Sequence, residues 1–227
     1  MPDKRAVKGV VVHYCPLCGG PETSPYSRDD RREFLECRAC GLVFVPSRYF
    51  LAPEEEHKRY DLHRNSPDDE GYLRFLGRLV APLRERVPAG GRGLDFGSGP
   101  SPVLTRLLEQ AGYPMTRFDL YYAADRHALE RQYDFIAACE VLEHLREPGA
   151  ELARLWSCLK PRGWLGIMTK LVAGPEEFSG WHYKNDLTHI CFYSAGTFAW
   201  LAEKWKAELS FPERDVALFR KTTNEDI

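Results

Sequence analysis

The chain has 227 residues, enough for one medium domain plus a small appendage, and its 44% hydrophobic and 28% charged content excludes wholesale disorder. A formal net charge of -2 excludes a global pull toward nucleic acid or anionic membrane. No run reaches the roughly 18 apolar residues that span a bilayer, and Val10-Val11-Val12 behind Lys4, Arg5 and Lys8 is too short for a secretion signal. The expectation is a cytoplasmic protein with no membrane partner, whose seven cysteines are thiols or metal ligands, not disulfides.

In chain order, three zones follow. Residues 1–46 hold Cys15-Pro-Leu-Cys18 and, after eighteen intervening residues, Cys37-Arg-Ala-Cys40, each pair followed by a glycine, Gly19 and Gly41. Backbone N–H groups must fold back toward thiolates in a metal knuckle, and those glycines allow the turn. Four thiolates at this spacing predict a closed tetrahedral Zn²⁺ site, structural in role, that stabilises a small ribbon. Cys139, Cys158 and Cys191 lie in apolar surroundings and read as core.

Residues 47–91 are polar and then helical: Tyr72, Phe75, Leu76, Leu79, Val80 and Leu83 recur at helical spacing until Pro88-Ala89-Gly90-Gly91. From residue 92 strand and helix signals alternate. A strand at 94–96 runs into a Gly-rich turn, and Ser101-Pro102 reads as the cap and first residue of a helix ended by Gly112. Strands are predicted at 115–120, 133–139 and 164–171, the last entered through a Pro161-Arg162-Gly163 turn. Helices carry Leu152, Leu155, Trp156 and Leu159, and later Phe198, Leu201, Ala202 and Trp205 behind a Ser194 cap. Short strands near 207–211 and 216–220 finish the pattern, which predicts an α/β fold, a largely parallel sheet with helices on both faces.

Gly97 and Gly99 stand between strand and helix, where positive φ, close backbone approach and free N–H groups suit a carboxylate or phosphate. Asp119 follows Asp95 by 24 residues at the end of the next strand, where an acid can accept from both hydroxyls of a ribose. Together they read as a nucleoside site at the carboxyl edge of the sheet. The dinucleotide fingerprint is disfavoured, because Pro100, Ser101 and Pro102 stand where its third glycine would pack.

The stretch LDFGSGPS at 94–101, the acid Asp119, YDFIAACEVLEHL at 133–145 and LKPRGWLGIM at 159–168 resemble the successive motifs of class I S-adenosylmethionine-dependent methyltransferases. The resemblance implies a Rossmann-like sheet over about 91–220, so that the zones become a zinc ribbon (1–46), a helical linker and lid (47–91) and a methyltransferase domain (92–227). It implies that Asp95, Gly97 and Gly99 line the methionine end of S-adenosylmethionine, Asp119 binds the ribose diol, Leu120 lies against adenine and Glu140 sits near the methyl. Only about a dozen residues separate Leu120 from Tyr133, so one edge strand of the family's sheet is expected to be missing, leaving about six. Asp125 is a candidate substitute for the adenine-contacting acid that the family carries in that interval.

Glu140, Glu143 and His144 would share one helical face if a helix began there, and Trp181, His182, Tyr183, Asp186 and His189 form a second polar cluster. His144 or His189 could accept a proton from the methyl acceptor. Alternatively, E-x-x-E-H with a later His resembles quinone and small-RNA O-methyltransferases, implying a divalent metal on Glu140, Glu143, His144 and His189. A third reading makes them a polar helix start. Ala138-Cys139-Glu140-Val141 lacks the Asn-Pro-Pro-Tyr type of motif of enzymes acting on planar nitrogens. The chain therefore reads as a methyltransferase acting on a small or medium molecule at oxygen or carbon. An RNA- or ribosome-directed enzyme using the ribbon, and a non-enzymatic ribbon protein, are the alternatives.

Overall fold

The computed structural model describes residues 12–62 and 66–223; residues 4–11 of the N-terminal basic and apolar run lie outside it. Its elements in chain order are β1 (Thr23–Arg28), β2 (Glu33–Cys37), β3 (Val43–Phe44), α1 (Pro53–Tyr60), α2 (Glu70–Arg84), β4 (Gly93–Phe96), α3 (Val103–Gln110), β5 (Met115–Phe118), β6 (Tyr133–Cys139), α4 (Pro148–Ser157), β7 (Leu159–Met168), α5 (Pro175–Gly180), β8 (Cys191–Phe192), α6 (Ala195–Trp205), β9 (Glu208–Glu213) and β10 (Val216–Arg220).

Among the described residues the main sheet has six strands in the order β5-β4-β6-β7-β10-β9. β5, β4, β6 and β7 are parallel, whereas β10 pairs antiparallel with both β7 and β9. As expected, that edge strand is missing: between β5 and β6 the described chain makes an isolated Asp119–Ala123 bridge and a 3₁₀ turn, Arg126–Glu130, and β5 is left at the edge. Asp125 is spent there, its side chain capping that turn through His127 N–H. Parallel strands bury both faces, and β4 accordingly has all four residues buried.

Helix α2 starts because Asp69 caps it, accepting from Gly71 and Tyr72 N–H. Its stripe of Leu76, Leu79 and Leu83 packs on Phe135, Ala137, Met168 and Leu218 of the sheet. Burying each such leucine contributes roughly 1.5–3 kcal/mol. α4 and α6 cover the opposite face, and there the ribbon joins one continuous core, Phe34, Leu42 and Phe44 sharing it with Leu142, Tyr193 and Phe198. The ribbon's own sheet is ordered β1-β2-β3-β8, so its fourth strand comes from far along the chain. Gly149 in α4 lies against the first cysteine knuckle: its N–H donates to Pro16 O, and a Cβ there would stand 2.4 Å from Leu17 O.

Two local expectations are corrected. Ser101 does not cap α3; Pro102 itself stays outside helical geometry (φ -79, ψ 63), so the helix starts one residue later at Val103 and its N-cap is Pro102, which has no side-chain acceptor to offer. Strand β7 begins at Leu159, not Trp164, and ends at Met168, not Leu171. The Pro161-Arg162-Gly163 turn is a bulge within it, with Arg162 at φ 62 and the β6 pairing slipping between Tyr133 and Phe135.

Candidate functional site

A cavity of about 570 Å³ opens at the carboxyl ends of β4, β5 and β6, the size of a small-molecule site. Its floor is the turn after β4. Gly97 (φ 78) has no room for a side chain, since a Cβ would lie 2.4 Å from Val141 Cγ2. Gly99 (φ 63) has open space where a side chain would stand, but the expected free N–H groups are not offered here: those of Gly97 and Ser98 donate to Phe118 O and that of Gly99 to Asp119. Asp119 ties this turn to the end of β5: Oδ2 accepts from Gly99 N–H (2.9 Å), and Oδ1 from Tyr121 (2.9 Å) and Tyr122 (3.1 Å). Leu120 beside it is 62% exposed into the cavity, an apolar surface without a protein partner over most of its area. Asp95 does not line the cavity. It sits buried behind the turn, accepting from Thr105 Oγ1 (2.6 Å), and burial pushes its pKa up to about 6.

At the other end lie Glu140, Glu143, His144, Asp186 and His189. The expected shared helical face does not form. Glu140 takes a left-handed conformation (φ 52), and helical geometry is confined to a 3₁₀ turn, Leu142–His144. Glu140 and Glu143 instead meet at Tyr183, whose hydroxyl is 2.5 Å from Glu143 Oε1 and 3.2 Å from Glu140 Oε2; Thr169 Oγ1 donates to Glu143 Oε2 (3.0 Å). Burial, then mutual repulsion, raises Glu140 to about 8; burial raises Glu143 to about 7.

Both histidines point the same nitrogen at backbone carbonyls: His144 Nδ1 at Thr188 O (3.2 Å) and His189 Nδ1 at Tyr183 O (2.7 Å). A carbonyl only accepts, so Nδ1 carries the hydrogen and Nε2 keeps its lone pair in the neutral ring. The rings meet edge to face at 4.8 Å, and His144 Nε2 is 3.9 Å from Glu143 Oε1. Burial, then the neighbouring His144, lowers His189 to about 3 and keeps it neutral. Ligand atoms of Glu143, His144 and His189 all lie within 4.8 Å of one another; Glu140 is outside that trio. Trp181 and His182 do not line the cavity; His182 Nε2 lies 3.0 Å from Lys170 Nζ on the surface.

Helix α1 roofs the cavity, a contribution the sequence reading did not resolve residue by residue. Its His57 stacks on Tyr121 (4.5 Å), and Tyr60 packs against Tyr121 (5.7 Å) and His144 (5.3 Å). Glu56 fixes the roof, accepting from Tyr60 Oη (2.7 Å) and Arg146 Nη2 (2.6 Å). The available signal was the Tyr121-Tyr122 pair directly behind the strand-end acid. Buried Ser98 Oγ and Glu140 Oε1, both on residues lining the cavity, have no hydrogen-bond partner in the protein. Orphaned buried polar atoms, open space at Gly99 and an apolar platform fit S-adenosylmethionine, which is part polar amino acid and part flat base.

In the ribbon, Cys15 Sγ and Cys40 Sγ are 3.5 Å apart, Cys18 Sγ and Cys37 Sγ 3.4 Å, and all four within 4.8 Å. A Zn²⁺ tetrahedron with bonds of about 2.3 Å has sulfurs roughly 3.8 Å apart, so the donor set fits. Gly19 (φ 75) and Gly41 (φ 70) close the two knuckles as the spacing requires. Cys139 is half-buried, whereas Cys158 and Cys191 are buried.

A family model described as "Methyltransferase domain" matches residues 68–207. No curated protein matches the chain. Among solved structures, the chain is similar to one in the complex between the Haloferax volcanii Trm112 methyltransferase activator and a putative methyltransferase. The identity is 12%, the TM-score 0.51, and coverage is 71% of this chain and 100% of that one. It is also similar to Burkholderia thailandensis 1,6-didemethyltoxoflavin-N1-methyltransferase, with bound 1,6-didemethyltoxoflavin and S-adenosylhomocysteine, at 18% identity, TM-score 0.49, and 88% and 100% coverage.

Proposed function

Given that this chain belongs to the S-adenosylmethionine-dependent methyltransferase family, we propose that it methylates a small or medium molecule at oxygen or carbon, with His144 as the base. The observation that carries this reading is the single cavity joining the Gly97–Gly99 turn and Asp119 to His144 and His189 under an aromatic roof. S-adenosylmethionine, when bound, supplies an electrophilic methyl on a sulfonium. The chain's residues do the rest. The glycine turn admits the methionine end, Asp119 and Leu120 hold the nucleoside, and Glu140 borders the reacting centre. His144 Nε2 takes the acceptor's proton while its Nδ1–H stays on Thr188 O, and Glu143 at 3.9 Å stabilises the imidazolium. His189, held to about 3, is too weak a base for that task and serves as a neutral hydrogen-bond acceptor.

The convergence of Glu143, His144 and His189 supports a second reading, a divalent cation held by those three that lowers the acceptor's pKa. Activity that survives a chelator mild enough to spare the ribbon zinc would count against it. The substrate class is tested with methyl-labelled S-adenosylmethionine and a cell extract split into small-molecule, RNA and protein fractions. Label is expected in the small-molecule fraction and absent from it in His144→Gln; label in RNA alone would overturn the assignment.

A further inference from the structure

The segment at 183–190 carries Tyr183, Asp186 and His189, and its Thr188 carbonyl orients His144. It has little regular structure beyond a 3₁₀ turn, His182–Asn185, and a segment so built does not hold its carbonyls in place by itself. Four of those carbonyls turn inward to one point. The group filling that point comes from the ribbon: Arg32, just ahead of β2 and 2% exposed. Its Nη1 donates to His189 O (2.9 Å) and Leu187 O (3.3 Å), and its Nη2 to Asp186 O (2.7 Å) and Lys184 O. Four converging carbonyl dipoles repel one another unless a cation sits among them, and a planar guanidinium is the side chain that can bond all four.

The arrangement is supported on both sides. Asp29 accepts from the N–H groups of Arg31 and Arg32, which fixes the hairpin turn, and its Oδ2 pairs with Lys184 Nζ (3.1 Å). The guanidinium lies over Phe34 at 5.2 Å. Beyond the loop, Val45 N–H donates to Ile190 O and β3 pairs with β8, so the ribbon grips the segment at two places. Arg32 stands five residues before Cys37 on the same hairpin as the cysteine cluster.

We propose that Arg32 is a positioning residue for the methyl-acceptor end of the site. The ribbon is then a built-in clamp that sets His189 and, through Thr188 O, His144. The inference rests on the reading of His144 and His189 as acceptor-site groups. It gives the ribbon a task within the enzyme. The cysteine cluster fixes the hairpin, the hairpin presents Arg32, and Arg32 fixes the loop.

The test is hydrogen exchange by mass spectrometry on the full chain, comparing wild type with Arg32→Met and Arg32→Lys. The Thr188, His189 and Ile190 amides report the loop, since they donate to Asp186 Oδ1, Asp186 O and Glu143 O. In Arg32→Met they should exchange at least tenfold faster while β4 and α3 keep wild-type protection. Arg32→Lys keeps the charge but loses the fork and should fall between the two; it also carries the test if Arg32→Met does not fold. The His189 Nδ1 proton should give a slowly exchanging downfield NMR signal in wild type that disappears in Arg32→Met. Calorimetric affinity for S-adenosylmethionine should change less than twofold. Unchanged loop exchange, or a rise spread evenly over the main sheet, would overturn the clamp. Failure of the wild type to bind S-adenosylmethionine would instead sink the methyltransferase-site reading, leaving the loop result to stand by itself.

Discussion

Replacing Gly149 by alanine sets two effects of opposite sign against each other. Gly149 lies in the first turn of α4, and in an exposed helix the change to alanine stabilises by up to about 1 kcal/mol. Here the new Cβ would meet Leu17 O at 2.4 Å and Pro16 O at 3.1 Å, both backbone atoms of the first cysteine knuckle. Neither can swing aside, so α4 must separate from the ribbon by several tenths of an ångström. Overpacking of this kind costs roughly 1–3 kcal/mol. The net expectation is a loss of about 1–2 kcal/mol, or roughly 2–8 °C in melting temperature for a chain of this size. Urea titration of wild type and Gly149→Ala measures it. A variant more stable than wild type would show that propensity wins, and would refute the close docking of ribbon on α4.

Metal analysis of the purified chain should find one zinc per molecule, lost in the Cys37→Ser, Cys40→Ser double variant together with a marked fall in thermal stability. Asp95 sets a pH dependence in the ligand-free protein. Its folded pKa of about 6 lies above the ordinary 3.8, so its contribution is fully present below about pH 3.8 and is lost as pH rises through 6. The two-unit difference corresponds to about 3 kcal/mol. Asp95→Asn keeps an acceptor for Thr105 and should be the more stable protein at pH 8, with the gap closing toward pH 4. A difference independent of pH would contradict this.

What the sequence made legible was local chemistry. Cysteine spacing gave the cluster of four thiols, because ligand geometry constrains residues a few positions apart. The Gly97–Gly99 turn and Asp119 were readable because strand, turn and helix follow one another along the chain. The missing edge strand followed from the length between Leu120 and Tyr133 set against the sheet that the family resemblance implies. Arg32 was not readable, since its partners are backbone carbonyls more than 150 residues away, and a carbonyl has no residue identity. Strand β8, two residues long, owes its existence to β3 and carries no pattern of its own. The local spacing of Glu140, Glu143 and His144 misled because Glu140 leaves helical geometry to enter the Tyr183 cluster, a tertiary demand that outweighs spacing.

On the proposed function, this cavity binds S-adenosylmethionine with Asp119 on its ribose. Calorimetric titration of wild type and Asp119→Ala tests it most directly. Loss of a charge-assisted acceptor of hydroxyl bonds removes roughly 1.5–3 kcal/mol per bond, at least a tenfold weakening. Wild type should bind saturably at one ligand per chain, and binding should be weakened tenfold or more in Asp119→Ala. A folded wild-type protein that takes up no S-adenosylmethionine, or an Asp119→Ala variant that binds it equally well, would contradict it.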